Sequence, residues 1–418
     1  MTSRDRARRI GAEVADFFER RPENRILGFA GIGRHGGALI VQQRNEQGQE
    51  TRKVVVKYSL GEDAGDPDSN ADEDLRNEYY WLQKLRGAEH IVQLVDMEDG
   101  VYLPGTSDGE ATYDESVQLQ LQRNRDQVCV IGPNTAASVT GSPASVSSLS
   151  SSSGSSSSSD LPRRCPTFAL EYLPGGTIGR LMERCWAAQV RYVPNRLLWR
   201  IWLCAVRQVI AMLLPPFPDG NHNGDTVREE IVRGREVLRL CQNSPHYLNW
   251  MFGDPAVLPG NEHIQGVPIV KLIDFGRGAL EETGSRAARL NIRGAARVLT
   301  PLMCISCSDQ DVFAPNTNSA VLNYTDDTGT RRRYRTSAPA AFLTNENIDI
   351  DLRIMIARIR AHDPDAYPTL REVLEETEAA IRNKGALYQN WARMQGRNES
   401  DQDIRLFIQR FILDPPWS

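Results

Sequence analysis

The sequence has no long apolar run, no excess of basic residues and no apolar signal segment. No uninterrupted apolar stretch reaches the roughly 20 residues that a membrane-spanning helix needs. The 54 acidic residues exceed the 49 Lys and Arg and give a net charge of -5, which argues against nucleic acid or an anionic membrane as the main partner. The charged stretch at residues 4–9 is not followed by an apolar core of the kind found in secretory signals.

The sequence also lacks a cysteine framework. Its seven cysteines are scattered, and their odd number leaves at least one unpaired. Cys304 and Cys307 form a C-x-x-C without a second pair at metal-ligand spacing, which favours buried or helix-end thiols over a zinc or redox site. Together with the missing signal segment, this cysteine usage predicts an intracellular protein, either cytoplasmic or nuclear.

Residues 100–164 contain few large apolar side chains and include a serine-rich tract at residues 147–159. Such a segment buries too little apolar surface to offset the entropy lost on ordering. We therefore predict a largely disordered insertion, which acts either as a solvated spacer or as a carrier of phosphorylation sites. The whole chain of 418 residues is long enough for two or three domains or one two-lobed enzyme, and its 40% of hydrophobic residues is enough for a large core.

A glycine-rich segment contains Gly31, Gly33 and Gly36 in a G-x-G-x-x-G pattern. This pattern alone often indicates a dinucleotide-binding fold, in which a helix follows the glycines. Here residues 38–43 are apolar and strand-like, which favours a glycine-rich turn between two strands. Such a turn either brings glycine N–H groups, which no side chain shields, close to the phosphates of a nucleotide, or it is a hairpin without a ligand.

Two further segments carry charged residues at defined positions. The β-branched run Val54–Val56 predicts a strand that ends at Lys57. Downstream, residues 74–85 have helical spacing, with Glu78 one turn before Leu82. Glu78 could face Lys57 or could be a solvated surface residue.

An acid follows a strand near the middle of the chain. Residues 267–273 read as a buried strand that ends at the Asp274-Phe-Gly tripeptide. Asn249 precedes a second strand-like segment about 25 residues upstream, and this Asn and Asp-Phe-Gly pair resembles the metal-binding motifs of a protein kinase. An amide and a carboxylate placed at strand ends can hold a metal–phosphate complex.

The order of these motifs across residues 25–382 resembles that of a eukaryotic-type protein kinase domain, in particular the divergent protein-kinase-like proteins of fungi. The resemblance implies an α+β fold with two lobes: a small antiparallel-sheet lobe with one helix, and a larger, mainly helical lobe. We expect an N-terminal helix in residues 1–24, the small lobe in 25–172, the large lobe in 173–382 and a C-terminal helical tail in 383–418.

The same resemblance implies that Mg-ATP is bound between the lobes, with Asn249 and Asp274 as the Mg²⁺ ligands. In the family, a glutamate on the helix holds the strand lysine on the nucleotide phosphates, and the segment joining the lobes offers backbone hydrogen bonds to adenine. The residues expected to contact the nucleotide are Gly31, Gly33, Gly36, Lys57, Glu78, Leu170, Glu171 and Leu173.

The catalytic loop departs from the family pattern. An aspartate five residues before the metal-binding Asn normally accepts the proton of the attacking hydroxyl, but Ser244 stands at that position. A neutral serine is a poor base. Gln242 replaces the usual His, and His246 falls where a basic residue normally approaches the γ-phosphate. The candidate catalytic residues are therefore Ser244, His246 and Asp274.

The segment that follows Asp274 departs as well. The segment at residues 276–291 is short and contains no Ala-Pro-Glu signature. Asn291 stands where kinases usually have Asp, and Tyr367 occupies the position of the arginine that normally pairs with the missing glutamate. Both ends of one ion pair are absent, which puts docking of an extended peptide in doubt.

These departures leave four hypotheses. The first is a pseudokinase-like protein that binds Mg-ATP, with phosphotransfer to protein Ser or Thr weak or lost. The second is an active protein kinase with a rearranged base such as His246, and the third is a small-molecule kinase. The fourth is a scaffold that needs no nucleotide. Whether the protein is an enzyme stays open at this point, as does a protein substrate or regulatory partner.

Overall fold

The computed structural model describes residues 3–33, 36–61, 71–97, 167–217, 226–254, 267–307, 320–325 and 328–413. The chain divides into two compact units. Unit 1 comprises Met1–Arg76 and Asp96–Ala169, and unit 2 comprises Asn77–Val95 and Leu170–Ser418. The serine-rich insertion predicted from the sequence lies outside the described residues, and the predicted domain boundaries stay predictions.

Unit 1 consists of an antiparallel sheet and the N-terminal helix that packs on it. The elements in chain order are α1 (Ser3–Glu19), β1 (Asn24–Ile32), β2 (Gly36–Arg44), β3 (Glu50–Ser59) and β4 (Thr167–Glu171), which crosses into unit 2. The strand order is β1-β2-β3-β4, and β2 pairs antiparallel with both β1 and β3.

The alternating burial of β3 explains how this sheet packs. Val54, Val56 and Tyr58 are buried, whereas Val55 and Lys57 between them are half-buried, as expected for a strand with one face on a core. The Tyr58 hydroxyl donates a hydrogen bond to the carbonyl oxygen of Ala7 at 2.8 Å. This bond fixes α1 against the core face of the sheet.

Unit 2 is mainly helical. Its helices are α2 (Ala71–Lys84, which begins in unit 1), α3 (Ile178–Ala187), α4 (Asn195–Leu213), α5 (Gly284–Met303), α6 (Ala340–Leu343), α7 (Ile350–Ile359), α8 (Leu370–Asn383), α9 (Gly385–Gln395) and α10 (Asp401–Ile408). Short 3-10 turns cover Tyr247–Asn249 and Pro364–Ala366, and a π-helical turn covers Gln409–Leu413. Helix α4 is buried at nearly every position because it is apolar on most of its surface, and the other helices pack around it.

Three short strand pairs complete unit 2. The first joins β5 (Leu240–Cys241) to β8 (Ala279–Leu280), and the second joins β6 (Trp250–Phe252) to β7 (Val270–Leu272). The third is an antiparallel pair of β9 (Ala320–Thr325) and β10 (Arg331–Thr336). All three pairs are antiparallel. The first two lie around the loop that contains Ser244 and Asn249.

The C-terminal helices pack on α4. The buried carboxylate of Glu399 accepts hydrogen bonds from the Asn195 backbone N–H at 2.6 Å and from Asn195 Nδ2 at 2.9 Å, and so satisfies the N-terminus of α4. The indole N–H of Trp199 on α4 donates to the Tyr388 hydroxyl at 2.8 Å. These contacts fix the C-terminal helices against the helical part of the chain.

The predicted α+β fold class is confirmed: a small four-stranded antiparallel sheet lies toward the N-terminus, and the larger part of the chain is helical. The sequence of Glu229–Leu240 is typical of a helix, but a helix prediction there is wrong, because residues 229–239 have irregular backbone that leads into β5. The five cysteines described in the structure are unbridged. No helix within the described ranges has the length and apolar character needed to span a bilayer.

Candidate functional site

The three glycines of the predicted phosphate-binding turn lie in the β1–β2 hairpin. Gly31 pairs with Ala38 across the strands, and the backbone N–H of Gly33 donates to the carbonyl oxygen of Gly36 at 2.8 Å. A Cβ at Gly36 would lie 2.7 Å from the Tyr58 carbonyl oxygen, whereas one at Gly31 would meet nothing within 4 Å. Gly36 is therefore needed for packing, while the backbone at Gly31 has space beside it.

Lys57 and Glu78 lie in well-defined elements. Lys57 is on β3, opposite Ala38 of β2, and its side chain is half-buried. Glu78 is on α2 and is only 2% exposed, so it is not the solvated surface residue that the sequence left open. Lys57 belongs to unit 1 and Glu78 to unit 2, and the ion pair between them stays a prediction.

The residues expected to contact adenine surround the end of β4. Leu170 and Leu173 are buried, at 4% and 5% exposure, and Leu170 forms an antiparallel bridge with Leu94. The Glu171 carboxylate accepts from the Gln93 backbone N–H at 2.8 Å and from Lys271 Nζ at 2.7 Å. The side chain of Glu171 thus fixes the local backbone, and its predicted contact with a base stays a prediction.

The β6–β7 pair brings the two predicted metal ligands to one edge. Asn249 directly precedes β6 and Asp274 follows two residues after the end of β7. Because Trp250 pairs antiparallel with Leu272, the start of β6 and the end of β7 meet. The Ile273 backbone N–H, one residue before Asp274, donates to the Asn249 carbonyl oxygen at 2.8 Å.

The backbone and side-chain contacts at this edge fix the orientation of both residues. Asp274 has a φ of 68°, a left-handed conformation that a non-glycine residue keeps only when its surroundings enforce it. Gln242 Nε2 donates to the Asp274 carbonyl oxygen at 3.1 Å, and the Gly276 N–H donates to Asp274 Oδ1 at 3.2 Å. Asn249 Nδ2 donates to the Ser244 carbonyl oxygen at 3.1 Å.

These contacts test the fit of Mg²⁺ to the predicted pair. Because the amide nitrogen of Asn249 is engaged with Ser244, its amide oxygen is the group left for a ligand. Together with the Asp274 carboxylate it gives two hard oxygen donors, the type that Mg²⁺ prefers when phosphates and water complete the coordination. The donor set fits a magnesium–nucleotide complex.

Ser244 and His246 lie in the loop before the 3-10 turn. The Ser244 N–H donates to the Gln242 carbonyl oxygen at 2.7 Å, which closes a tight turn at the position expected for the catalytic base. His246 is exposed, its Nδ1 accepts from the Leu248 N–H at 3.3 Å, and its ring lies 4.1 Å from that of Tyr247. His246 therefore caps the 3-10 turn.

Asn291 on α5 anchors the same loop. Its Oδ1 accepts from the Gln242 backbone N–H at 3.1 Å, and its Nδ2 donates to the Leu240 carbonyl oxygen at 2.7 Å. An amide can both accept and donate, which a carboxylate cannot do at neutral pH. Asn291 thus holds two points of the loop backbone without a buried charge.

A contact between α2 and the segment after Asp274 was not predicted from the sequence. Asn77 Nδ2 donates to the carbonyl oxygens of Gly276 and Gly278 at 2.8 and 2.9 Å, and the buried Trp81 indole donates to Gly278 at 3.0 Å. Asn77 and Trp81 are four residues apart on one helix face. The only sequence signal was that spacing, since their partners lie about 200 residues away in the chain.

A buried ion pair lies elsewhere in unit 2. His90 Nδ1 is 2.6 Å from the Glu229 carboxylate, which also accepts from the His90 backbone N–H at 2.7 Å. Burial is the largest single effect and lowers the pKa of His90, but the charge of Glu229 and the hydrogen bonds to Cys204 and Glu229 together outweigh it and raise that pKa to about 10. Glu89, His90 and Glu229 are close enough to share a metal ion. In the structure, the 2.6 Å contact between His90 Nδ1 and the Glu229 carboxylate makes this cluster a buried ion pair.

Comparison of the sequence with models of known protein families gives no match, and comparison with curated proteins gives none either. Among solved structures, the chain is similar to one chain of the CAK complex from Chaetomium thermophilum bound to ATP-γ-S. The two are 13% identical, with a TM-score of 0.47, and the alignment covers 88% of this chain and 95% of that one. A likeness this distant does not assign an activity to the chain.

Proposed function

We propose that the chain is a protein-kinase-like protein that binds Mg-ATP and transfers phosphate to protein Ser or Thr weakly or not at all. The observation that carries this proposal is the edge at which Asn249 and Asp274 meet while Ser244 occupies the position of the catalytic base. The residues predicted from the sequence to contact the nucleotide are present, whereas the aspartate that would accept the substrate proton is replaced by Ser244.

The contacts of Asp274 support the metal-binding half of the proposal. Its φ of 68° is maintained by a hydrogen bond from Gln242 to its carbonyl oxygen, and strain of this type is concentrated at functional sites. When bound, Mg²⁺ would neutralise charge on the phosphates, and Asn249 and Asp274 would position it.

The contacts of the loop that contains Ser244 and His246 support the second half of the proposal, that phosphotransfer is weak or lost. In this family, rate enhancement comes mainly from positioning and charge neutralisation, and a general base adds about 10²–10⁴-fold. Ser244 cannot supply that factor. His246 is an unsuitable substitute because its Nδ1 already accepts the Leu248 N–H. The expected outcome is nucleotide binding with slow or undetectable turnover.

The binding claim is tested by thermal shift of the whole chain with Mg-ATP, Mg-ADP and ATP with EDTA. The melting temperature should rise with Mg-ATP and less with ATP alone. Asp274→Asn should remove most of the metal-dependent shift. The matched control is Asp254→Asn, which makes the same chemical change at the other, exposed end of β6.

The turnover claim is tested with γ-labelled ATP and a mixture of general protein substrates. Slow or absent label transfer, together with a clear thermal shift, is the expected pair of results. Fast transfer that survives in His246→Ala would contradict the assignment of Ser244 as a lost base. Absence of any nucleotide-dependent shift would contradict the binding claim and favour a scaffold.

A further inference from the structure

The antiparallel pair of β9 and β10 carries a basic surface that the proposed nucleotide site does not use. Strand β10 has the sequence Arg-Arg-Arg-Tyr-Arg-Thr over Arg331–Thr336. Asp326 and Asp327, which lie between the two strands in the sequence and outside the described residues, offset only half of this charge. The sequence of the hairpin is therefore basic, although the chain as a whole has a net charge of -5.

The arginines of β10 are divided between two faces of the strand pair. Thr336 is buried, and its hydroxyl donates to the Ala357 carbonyl oxygen of α7 at 2.9 Å. Because side chains alternate along a strand, the odd-numbered residues of β10 lie on the face opposite α7. Three exposed arginines occupy that face. We call Arg331, Arg333 and Arg335 the arginine row.

In the described part of the chain, no acidic side chain pairs with the arginine row. Its cross-strand neighbours on β9 are Thr325, Asn323 and Val321, which are all uncharged. Successive members of the row are about 7 Å apart along the strand, because each residue of a strand advances about 3.3 Å. The row thus presents positive charge at the repeat of an extended chain.

The backbone beside the arginine row is also accessible. The edge of β10 that faces away from β9 is covered at its C-terminal end, where the His362 N–H donates to the Arg335 carbonyl oxygen at 2.8 Å. Since backbone groups alternate in direction along a strand, those of Arg331 and Arg333 point to the same edge. They have no hydrogen-bond partner among the described residues. This edge can therefore accept one more strand.

The charge and geometry of this surface distinguish between candidate occupants. A second copy of β10 would bring a like row of charges against the first, and like charges on strand edges oppose pairing. Nucleic acid would contact the guanidinium groups but would leave the open backbone edge unpaired. An extended peptide with a carboxylate at every second position matches both features. The planar guanidinium of arginine can also bind both oxygens of a carboxylate, which the ammonium of lysine cannot do.

We propose that β10 is a docking strand for an acidic, extended segment of another protein. The segment would add to the outer edge as a further strand, with its Asp or Glu side chains on the arginine row and its backbone paired with that of Arg331 and Arg333. The side chains between its acids would lie on the other face, where the rings of Tyr324 and Tyr334 are 6.1 Å apart. Uncharged residues such as threonine suit those positions. The surface would recruit a partner protein independently of the proposed nucleotide site.

The spacing of the acids is tested by fluorescence anisotropy with the whole chain and labelled decapeptides. The first peptide alternates Glu and Thr, and the second has the same composition with its glutamates consecutive. Because both carry the same charge, the matched repeat should give the alternating peptide an affinity about fivefold higher or more. A rise from about 50 to about 300 mM salt should weaken its binding several-fold, since salt screens exposed charges.

Substitutions test whether the peptide lies on one face of the strand. The double variant Arg331→Gln with Arg333→Gln should weaken binding of the alternating peptide about tenfold, as expected for two exposed charge pairs. The matched control is Arg332→Gln with Arg405→Gln. This control removes the same charge from the other face of β10 and from an exposed position on α10, and it should change the affinity by less than about twofold.

A second measurement tests the backbone pairing. Two further versions of the alternating peptide are N-methylated, one at every Glu and the other at every Thr. Each version lacks the N–H groups along one edge of the added strand. Because that strand would turn a single edge to β10, one version should lose most of its binding while the other keeps it. Unchanged binding of both versions would contradict strand addition.

Three other results would overturn the proposal. The first is the absence of binding of the alternating peptide at about 1 mM. The second is equal affinity for the two decapeptides, or equal effects of the two double variants, since either would indicate general attraction of anions. The third is tighter binding of a ten-nucleotide thymidine strand than of the alternating peptide, which would assign the surface to nucleic acid.

Discussion

Replacement of Gly278 by alanine should separate α2 from the segment that follows Asp274. A Cβ at Gly278 would lie 2.8 Å from Trp81 Cδ1, 3.0 Å from Trp81 Nε1 and 3.0 Å from the Phe275 carbonyl oxygen. Distances under 3.0 Å force a displacement, and the indole cannot move freely because Trp81 is 1% exposed. The hydrogen bond from the indole to the Gly278 carbonyl oxygen should therefore be lost.

The magnitude follows from two effects. Overpacking of a well-filled core destabilises by about 1–3 kcal/mol, and a buried indole N–H without its acceptor costs about 1–3 kcal/mol. Because the Trp81 side chain can relax in part, we expect Gly278→Ala to lower the free energy of unfolding by about 2–4 kcal/mol in total. With a urea m-value of about 2 kcal/mol/M, the unfolding midpoint should fall by about 1–2 M.

The assay is urea unfolding followed by tryptophan fluorescence. The matched control is Gly385→Ala in the same unit, where a Cβ would meet nothing within 4 Å. This residue begins α9, so alanine should be neutral or slightly stabilising there. The double variant Gly278→Ala with Trp81→Phe should lose less stability than the sum of the single variants, because the smaller ring makes room for the new methyl group. An unchanged midpoint for Gly278→Ala would refute the contact between Gly278 and Trp81.

Three further predictions concern the loop and the buried ion pair. The pKa of His90 in the folded state is raised to about 10. Its ion pair with Glu229 therefore stabilises the fold fully below pH 6.5, the ordinary pKa of histidine, and this stabilisation is lost as the pH rises through 10. Melting temperatures measured between pH 6 and 10.5 should fall more steeply for the unmodified protein than for His90→Gln. Asn291→Ala should destabilise the protein by about 1–3 kcal/mol in urea unfolding, because it leaves the buried Gln242 N–H without its acceptor. Ser244→Asp should raise label transfer from γ-labelled ATP by up to about 10²–10⁴-fold if only the base is missing, and an unchanged rate would show that the loop lacks more than that base.

The elements with strong local patterns were predictable from the sequence. The β-branched run before Lys57 formed β3, and the apolar stretch after Asn195 formed α4. Each has a burial pattern that follows directly from its own side chains. The edge shared by Asn249 and Asp274 was predicted through the kinase resemblance rather than from either residue alone.

The features that depend on distant partners could not be predicted in this way. Residues 229–239 have helical composition, yet their backbone is irregular, with Glu229 engaged by His90, about 140 residues earlier in the chain. Likewise, the sequence gives no indication that Arg360 lies beside Arg293, because their helices meet only in the folded chain. Tertiary contacts of this type override local propensity.

The central claim is that Asn249 and Asp274 hold the same magnesium–nucleotide complex, and a double-mutant cycle tests it most directly. Mg-ATP affinity would be measured by calorimetry for the unmodified chain, Asn249→Ala, Asp274→Asn and the double variant. We predict that each single substitution weakens binding about tenfold or more and that the double variant loses clearly less than the sum of the two free energies. Full additivity, or an affinity unaffected by either substitution, would contradict the claim.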